Sequence, residues 1–432
     1  MEPFYTPINI PNIHYAFTNL PTPPIPTHTP TNPWLDMDPH IWSRLPQRLV
    51  DRIIASLPAP AFFRARSVCK RWYSLLYSTT FLQLYLHSSP HRHSFLFFKQ
   101  PPNNQTLKHT TVLQTNTRPT PNPHECYLFD PETLKWYRIS IPTIPPGFSP
   151  MAASGGLVCY VSDEAGSKNI LLANPLTASC IQLPSTLRPR LCPSVGLTIT
   201  DSSIDMAFAG DDMISPYAVK NLTSESFHID SGGFYSVWGT TSALPRLCSL
   251  ESGRMVHVSG RFYCMNYSPF SVLCYDIGAN EWSKIQAPMR RFLRSPSLVE
   301  SRGRLVLVAA VEKSKLNVPR SLRVWVLQEE SGSMWVEIER MPGQLYNQFA
   351  EMEGGRGFGC VARGEYVVMV IKGVGGKALM FDFGRKRWVW VPPCPFMNGE
   401  DELHGFGYEP RLAVPITGIL EQLTLPFNSF SG

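Results

Sequence analysis

The sequence predicts a small all-α module followed by a large all-β domain of repeated four-stranded units, with a disordered proline-rich arm in front. Three observations predict it: an abrupt change of composition at Ile41, apolar residues at three- and four-residue steps from Leu49 to Leu57, and a strand–turn–strand unit that recurs beyond Phe95 at intervals of 44 to 55 residues. The chain has 432 residues, 43% of them apolar and 17% charged, which gives room for two or three domains and leaves too much apolar surface for disorder to dominate. Its 41 prolines and 29 glycines argue against long helical bundles. The longest apolar runs, Leu305–Val311 and Tyr366–Ile371, hold seven and six residues. Crossing a bilayer as a helix takes about 20, so a soluble protein with no membrane partner is expected.

The arm comes first. Residues 1–43 contain neither Lys nor Arg, and ten prolines fall between Pro3 and Pro39. Secretory and transit peptides need positive charge, and proline withholds the backbone donor that helices and sheets use, so residues 1–38 read as an extended, disordered segment. The ten cysteines are never closer than ten residues, which excludes C-x-x-C pairs and zinc-finger spacing. They read as reduced thiols that pack as small hydrophobes in a reducing compartment.

The helical module is expected over residues 41–86. Leu45-Pro46 opens it, with Pro46 suited to a first helical position. Leu49, Ile53, Ile54 and Leu57 form one apolar stripe, Pro58 and Pro60 stop that helix, and Phe62, Phe63, Val68, Cys69, Trp72, Leu75 and Leu76 continue as further short helices. About 45 residues bury little surface on their own, so part of the stripe is expected to face a partner.

Leu45-Pro46, Ile53, Leu57-Pro58, Arg66 and the run Val68-Cys69-Lys70-Arg71-Trp72 resemble the F-box motif. The resemblance implies a module that docks on a Skp-type adaptor and joins a cullin–RING ubiquitin ligase. It carries the docking role to Leu45, Pro46, Leu49, Ile53, Leu57, Pro58, Val68, Cys69 and Trp72. The run from Pro58 to Arg64, the stretch Tyr73–Tyr77 and the segment Phe95–Lys99 are similar to plant F-box proteins of the UNUSUAL FLORAL ORGANS type, whose relatives act in meristem and flower patterning.

The repeats follow. A strand ends in Asp or Asn, a turn follows, and an aromatic six residues on starts the next strand: Asp130 with Trp136, Asp276 with Trp282, Asp382 with Trp388. Weaker copies are Asn174 with Cys180 and Asn221 with Phe227, and a stretched one runs from Val324–Leu327 to Trp335. Small-residue turns lead into apolar strands at Gly155-Gly156-Leu157, Gly260-Arg261-Phe262, Gly303-Arg304-Leu305 and Gly364-Glu365-Tyr366. A period near 50 with four strands per unit is the signature of a kelch-type β-propeller, because a four-stranded blade has two faces and only neighbours in a closed ring cover both. The Asp or Asn bonds its own turn, and the aromatic packs between blades. Six units predict six blades over residues 93–420. Seven is the alternative count, since Phe95–Phe98 and residues 404–417 can make an extra or shared closing blade, and two stacked sandwiches are the rival fold.

Catalytic spacing is scarce. No G-x-S-x-G elbow occurs, and Gly373-Val-Gly-Gly-Lys377 lacks the first glycine of a phosphate loop and places Ala378 where a hydroxyl must reach magnesium. His87, His91 and His93 have no acidic or cysteine partner nearby, so they read as a polar linker. No metal and no cofactor are expected. A propeller enzyme acting on sugars or esters is the rival class, and it requires paired carboxylates or a Ser–His couple in the central pocket.

Charge gathers in one place. From Arg290 to Arg323 there are nine cations (Arg290, Arg291, Arg294, Arg302, Arg304, Lys313, Lys315, Arg320 and Arg323) against Glu300 and Glu312, a net +7 where the whole chain carries +6. A second cluster is Arg385-Lys386-Arg387. Such clusters attract phosphate, and Arg290, Arg291, Arg294, Lys313, Lys315, Arg320, Arg385, Lys386 and Arg387 are the candidates for contact with DNA or a partner. The resemblance implies work with a LEAFY-type transcription factor, so DNA contact in a ternary complex is one reading of these cations, and a solvated face spread over both rims is the other. The function so read is a non-catalytic adaptor that tethers a ubiquitin ligase to this factor, with the nucleus as its expected location and the cytoplasm as a further one. The alternative is a transcriptional cofactor whose ligase tether is dispensable.

Overall fold

The computed structural model describes residues 44–89, 92–100, 125–141, 143–213, 221–230, 238–250, 253–267, 270–312, 320–328, 333–397 and 401–413. The proline-rich arm expected over residues 1–38 lies outside them, as do His91, Lys313 and Lys315.

The helical module consists of α1 (Gln47–Ala55), α2 (Ala59–Ala65), α3 (Lys70–Ser74) and α4 (Thr79–Ser88), with a 3₁₀ turn at Leu75–Tyr77. Pro46 sits one residue ahead of its expected place, at the cap of α1. Pro58 and Pro60 both end α1 and begin α2: Pro58 caps it and Pro60 lies in its first turn, where the missing N–H has no intrahelical acceptor to lose. The single stripe read on α1 is two faces. Val50, Ile54 and Ala55 are buried, while Leu49 and Ile53 point outward. The buried face meets an aromatic cluster in which Phe62 stacks on Phe81 at 5.6 Å and meets Tyr85 at 5.7 Å.

Six four-stranded antiparallel blades follow. Blade 1 holds Ser94–Gln100, Glu125–Asp130 and Lys135–Ser140. Blade 2 holds Phe148–Ser154, Leu157–Ser162, Ile170–Asn174 and Ser179–Leu183. Blade 3 holds Ser194–Ile199, Ser203–Asp211, Leu222–Asp230 and Trp238–Thr240. Blade 4 holds Val256–Val258, Arg261–Tyr267, Phe270–Asp276 and Glu281–Gln286. Blade 5 holds Leu293–Ser301, Arg304–Val311, Ser321–Gln328 and Met334–Arg340. Blade 6 holds Phe358–Arg363, Tyr366–Ile371, Ala378–Asp382 and Arg387–Trp390. The innermost strand of blade 1 is the late segment Glu402–Tyr408, which pairs with Ser94–Gln100 along its length. The closing blade is therefore shared rather than a seventh, and the ring replaces the stacked-sandwich rival. Tyr408 adds a hydroxyl bond of 3.1 Å to the carbonyl of Gly156 in blade 2.

The repeated turn has the expected chemistry. The side-chain oxygens of Asp130, Asn174, Asp276 and Asp382 accept backbone N–H bonds from the residues that follow them, at 2.9–3.0 Å. The last turn residue then adopts the left-handed conformation at Leu134, Ala178, Asn280 and Lys386. The Asn221–Phe227 copy is corrected: Asn221 precedes the third strand of blade 3 and Phe227 lies within it, and Trp238 opens the outer strand of that blade.

The outer-strand tryptophans tie blade to blade. Trp136 Nε1 donates to Pro392 O just beyond blade 6, Trp238 Nε1 to Pro184 O just beyond blade 2, and Trp335 Nε1 to Gln286 O of blade 4, each at 2.9 Å. Trp282 Nε1 donates to Ser224 Oγ of blade 3 at 2.8 Å. One interblade connection, between blades 5 and 6, contains α5 (Gly343–Glu353), whose Tyr346 and Phe349 join the core between those blades.

Strand direction separates two rims. Inner strands all end on the rim that carries turns 155–156, 302–303 and 383–386, and the chain enters the ring there at Ser94. The helical module sits on this proximal rim. Its core is continuous with blade 1 through Leu96, Tyr137 and Tyr408 and with blade 2 through Val158 and Tyr160, beside a 150 Å³ cavity lined by Pro58, Arg64, Asp130, Lys135 and Pro410.

Candidate docking surfaces and channel

The module's outward face is built from α1 and α3. Leu49, Ile53 and Val68 expose 44%, 40% and 66% of their surface, which is much for large aliphatic side chains on a folded module. Pro46 and Cys69 are also exposed. Leu45, Leu57 and Trp72 are half-buried against the module core, and Pro58 is half-buried at the start of α2. Two buttresses fix this face. Arg71 pairs with Asp51 at 2.5 Å and ties α3 to α1. Arg66 is buried, donates from Nε to the carbonyl of Tyr73 at 3.0 Å, and lies 4.6–5.8 Å from the ring centres of Tyr73, Phe63 and Tyr77. Tyr73 and Tyr77 are themselves exposed. The sequence reading gave these tyrosines no role; an arginine with aromatics three residues before it and seven and eleven after it was the available signal.

The basic candidates do not gather in one place. Arg290 and Arg291 are exposed in the connection between blades 4 and 5, on the distal rim, and Arg320 is exposed on the same rim beside the third strand of blade 5. Arg385, Lys386 and Arg387 are exposed on the opposite, proximal rim. Arg294 is held between Glu353, at 2.5 Å, and Glu312. Arg302 pairs with Glu365 at 2.7 Å, and Arg323 is buried against Glu337 and Ser321. The dense stretch of cations in sequence is therefore dispersed in space, because successive strands run to opposite rims. His87 lies in the last turn of α4 and His93 lies beyond it against Gly364, where a side chain on residue 364 would collide with the imidazole. The glycine-rich segment 373–376 is a distal-rim turn with left-handed residues at Gly373, Gly375 and Gly376.

A feature that sequence reasoning missed lies on the axis. Gly253-Arg254 adds a short parallel strand inside blade 3, and Arg254 reaches across the ring to donate to Gly405 O of blade 1 at 2.7 Å and to Cys360 O of blade 6. It divides the channel into a proximal cavity of 390 Å³ and a distal one of 270 Å³, and lines both. Burial pulls its guanidinium down to about 10, still cationic at neutral pH. In the proximal cavity Glu409 is clamped between Arg363 (2.8 Å) and Arg411 (3.0 Å), and Glu300 accepts the N–H of Gly303 at 2.7 Å. In the distal cavity burial, then the cations Arg254 and Lys372, pull His404 down to about 4. Six of the ten cysteines are buried, and burial pushes Cys264, Cys360 and Cys394 up to about 12, so they serve as packing groups. Among the described residues no helix is long and apolar enough to cross a membrane, and no group of three His, Cys, Asp or Glu side chains is placed to hold a metal.

Comparison with known proteins agrees with this architecture. The F-box domain model matches residues 42–84, and the KIB1-4 beta-propeller model matches residues 128–346. The chain is 59% identical over 403 residues to Protein UNUSUAL FLORAL ORGANS of Arabidopsis thaliana, covering 90% of each chain. It is 44% identical over 431 residues to Protein ABERRANT PANICLE ORGANIZATION 1 of Oryza sativa subsp. indica, covering 92% of this chain and 95% of the other. SKP1-interacting partner 15 of Arabidopsis thaliana is 24% identical over 391 residues, covering 86% of this chain and 97% of the relative. An F-box whose core runs into a six-bladed propeller, with such relatives along nearly the whole chain, places the protein in the family of plant F-box proteins that includes UNUSUAL FLORAL ORGANS and ABERRANT PANICLE ORGANIZATION 1.

Proposed function

We propose that this chain is the substrate-recognition subunit of a Skp–cullin–F-box ubiquitin ligase and that its propeller binds a LEAFY-type transcription factor, acting in the nucleus as a non-catalytic co-regulator of flower and meristem development. The observation that carries the adaptor role is the exposed face of Leu49, Ile53 and Val68, held rigid by Arg66 and the Arg71–Asp51 pair. Apolar anchors on a preorganised surface bind tightly, because little ordering remains to be done on association. The names of the relatives support the adaptor role and the developmental setting: one is called a SKP1-interacting partner, and those at 59% and 44% identity are named for floral and panicle organisation.

The test is copurification of a Skp-type adaptor with the full chain and with Leu49→Ser/Ile53→Ser/Val68→Ser. Loss of the adaptor from a variant that melts normally supports the docking role, and full retention overturns it. The same variant asks whether the ligase tether is needed for promoter activation with a LEAFY-type factor. It is a cleaner probe than deletion of residues 41–86, since deletion would also uncover the faces of blades 1 and 2 that share the module's core.

A further inference from the structure

We infer that the proximal cavity of the propeller channel is a binding site for a multivalent oxyanion, a small carboxylate- or phosphate-bearing group held by Arg254, Arg363 and Arg411. The cavity is built for a ligand in size and in charge. Its 390 Å³ lies within the range of small-molecule sites, and Arg254 closes its inner end. Three guanidinium groups line it against two carboxylates, and neither carboxylate answers Arg254. Glu409 is shared between Arg363 and Arg411, so one carboxylate serves two cations. Arg254 touches only carbonyl oxygens, and among the described residues no carboxylate pairs with it.

A second observation is independent of charge. The Nε of Arg363 is buried and has no hydrogen-bond partner among the described residues. A buried donor without an acceptor is costly, and a ligand oxygen would supply the acceptor once the half-buried Arg363 side chain turns this nitrogen toward the cavity. The guanidinium fork matches carboxylate and phosphate oxygens alike. His257, which also lines the cavity, is pulled down by burial and adds no lasting positive charge near neutral pH. The mouth is open, since Ser259 and Gly303 at its edge are exposed. The occupant is either a free small anion or acidic side chains of a protein that reaches the rim beside the F-box.

Calorimetric titration of the full-length chain with citrate, inorganic phosphate and a tetraglutamate peptide tests the site. Binding is expected to weaken about tenfold in Arg363→Gln and in Arg411→Gln, to fade with salt, and to strengthen in Glu409→Gln, where two arginines lose their shared partner. Binding of citrate or phosphate alone assigns the site to a free anion, and binding of the peptide alone assigns it to a protein's acidic side chains. Thermal melting establishes that each variant is folded. No heat from any probe at millimolar concentration overturns the inference. So does undiminished binding in both arginine variants, or a folded Glu409→Gln that binds no better than the parent.

Discussion

The guanidinium of Arg254 crosses the axis of the propeller to the carbonyl of Gly405, 2.7 Å away, although 151 residues separate the two in sequence. One side chain thereby links blades 3, 1 and 6. Arg254→Met keeps the volume but leaves the carbonyls of Gly405 and Cys360 facing the channel without a donor. We expect a loss of about 1–3 kcal/mol, read as a lower thermal midpoint, with the ring still closed.

His404 gives the fold an acid-sensitive limb. Its imidazole is held neutral down to about 4, whereas an unfolded chain protonates near about 6.5. Between these values the unfolded state binds a proton that the native state refuses, so stability falls as pH drops from about 6.5 and levels off below about 4. Denaturant titrations across that window should show a shallower slope for His404→Gln. An unchanged slope would assign the limb to other groups.

The seam between the first and last blades rests in part on Trp136 and Pro392. Trp136→Phe keeps most of the ring packing with Phe97 and Phe129 but removes the 2.9 Å indole bond. The expected cost is about 1–2 kcal/mol. Limited proteolysis should then cut earlier at this seam than between blades 4 and 5, where Trp335 is intact.

Buried and outward-facing residues of the module separate stability from docking. Phe62 is fully buried between Phe81 and Tyr85, so Phe62→Ala should cost about 3–5 kcal/mol and unfold the module. Leu49 and Ile53 are solvent-facing, so their replacement by Ser should shift stability by only about 0.5 kcal/mol. The check is adaptor affinity measured beside the melting curve for each variant.

The basic clusters make a directional prediction because they occupy opposite rims. One rigid duplex beside the ring can engage the distal Arg290, Arg291 and Arg320 or the proximal Arg385, Lys386 and Arg387, but not both. The distal face lies away from the F-box, so Arg290→Glu/Arg291→Glu should weaken a ternary complex with a LEAFY-type factor and DNA and flatten its salt dependence. Reversal of the proximal triplet should leave gel-shift affinity unchanged. Equal losses from both reversals would show that the effect is bulk charge.

Much of this molecule was legible in one dimension because its cues are local. Asp130, Asp276 and Asp382 bond the backbone two or three residues on, so their turns show in the sequence, as do the tryptophans that begin the next strand. The Leu-Pro and Val-Cys-Lys-Arg-Trp runs likewise announce the module. Local cues fail where spacing is irregular: the blade 3 copy was misplaced from Trp238 to Phe227, since both are aromatics near a polar residue and only pairing tells which strand is outermost.

The sequence by itself determined the helix-then-propeller order, the repeated turns and the apolar content of the module, since each follows from residues within a few positions of one another. Tertiary structure alone decided which face of α1 stays bare, that neighbouring cations part to opposite rims, and that Arg254, Arg363 and Arg411 converge on the axis. Those outcomes depend on ring closure, which brings residues from 254 to 411 into one cavity by long-range pairing that no local pattern encodes.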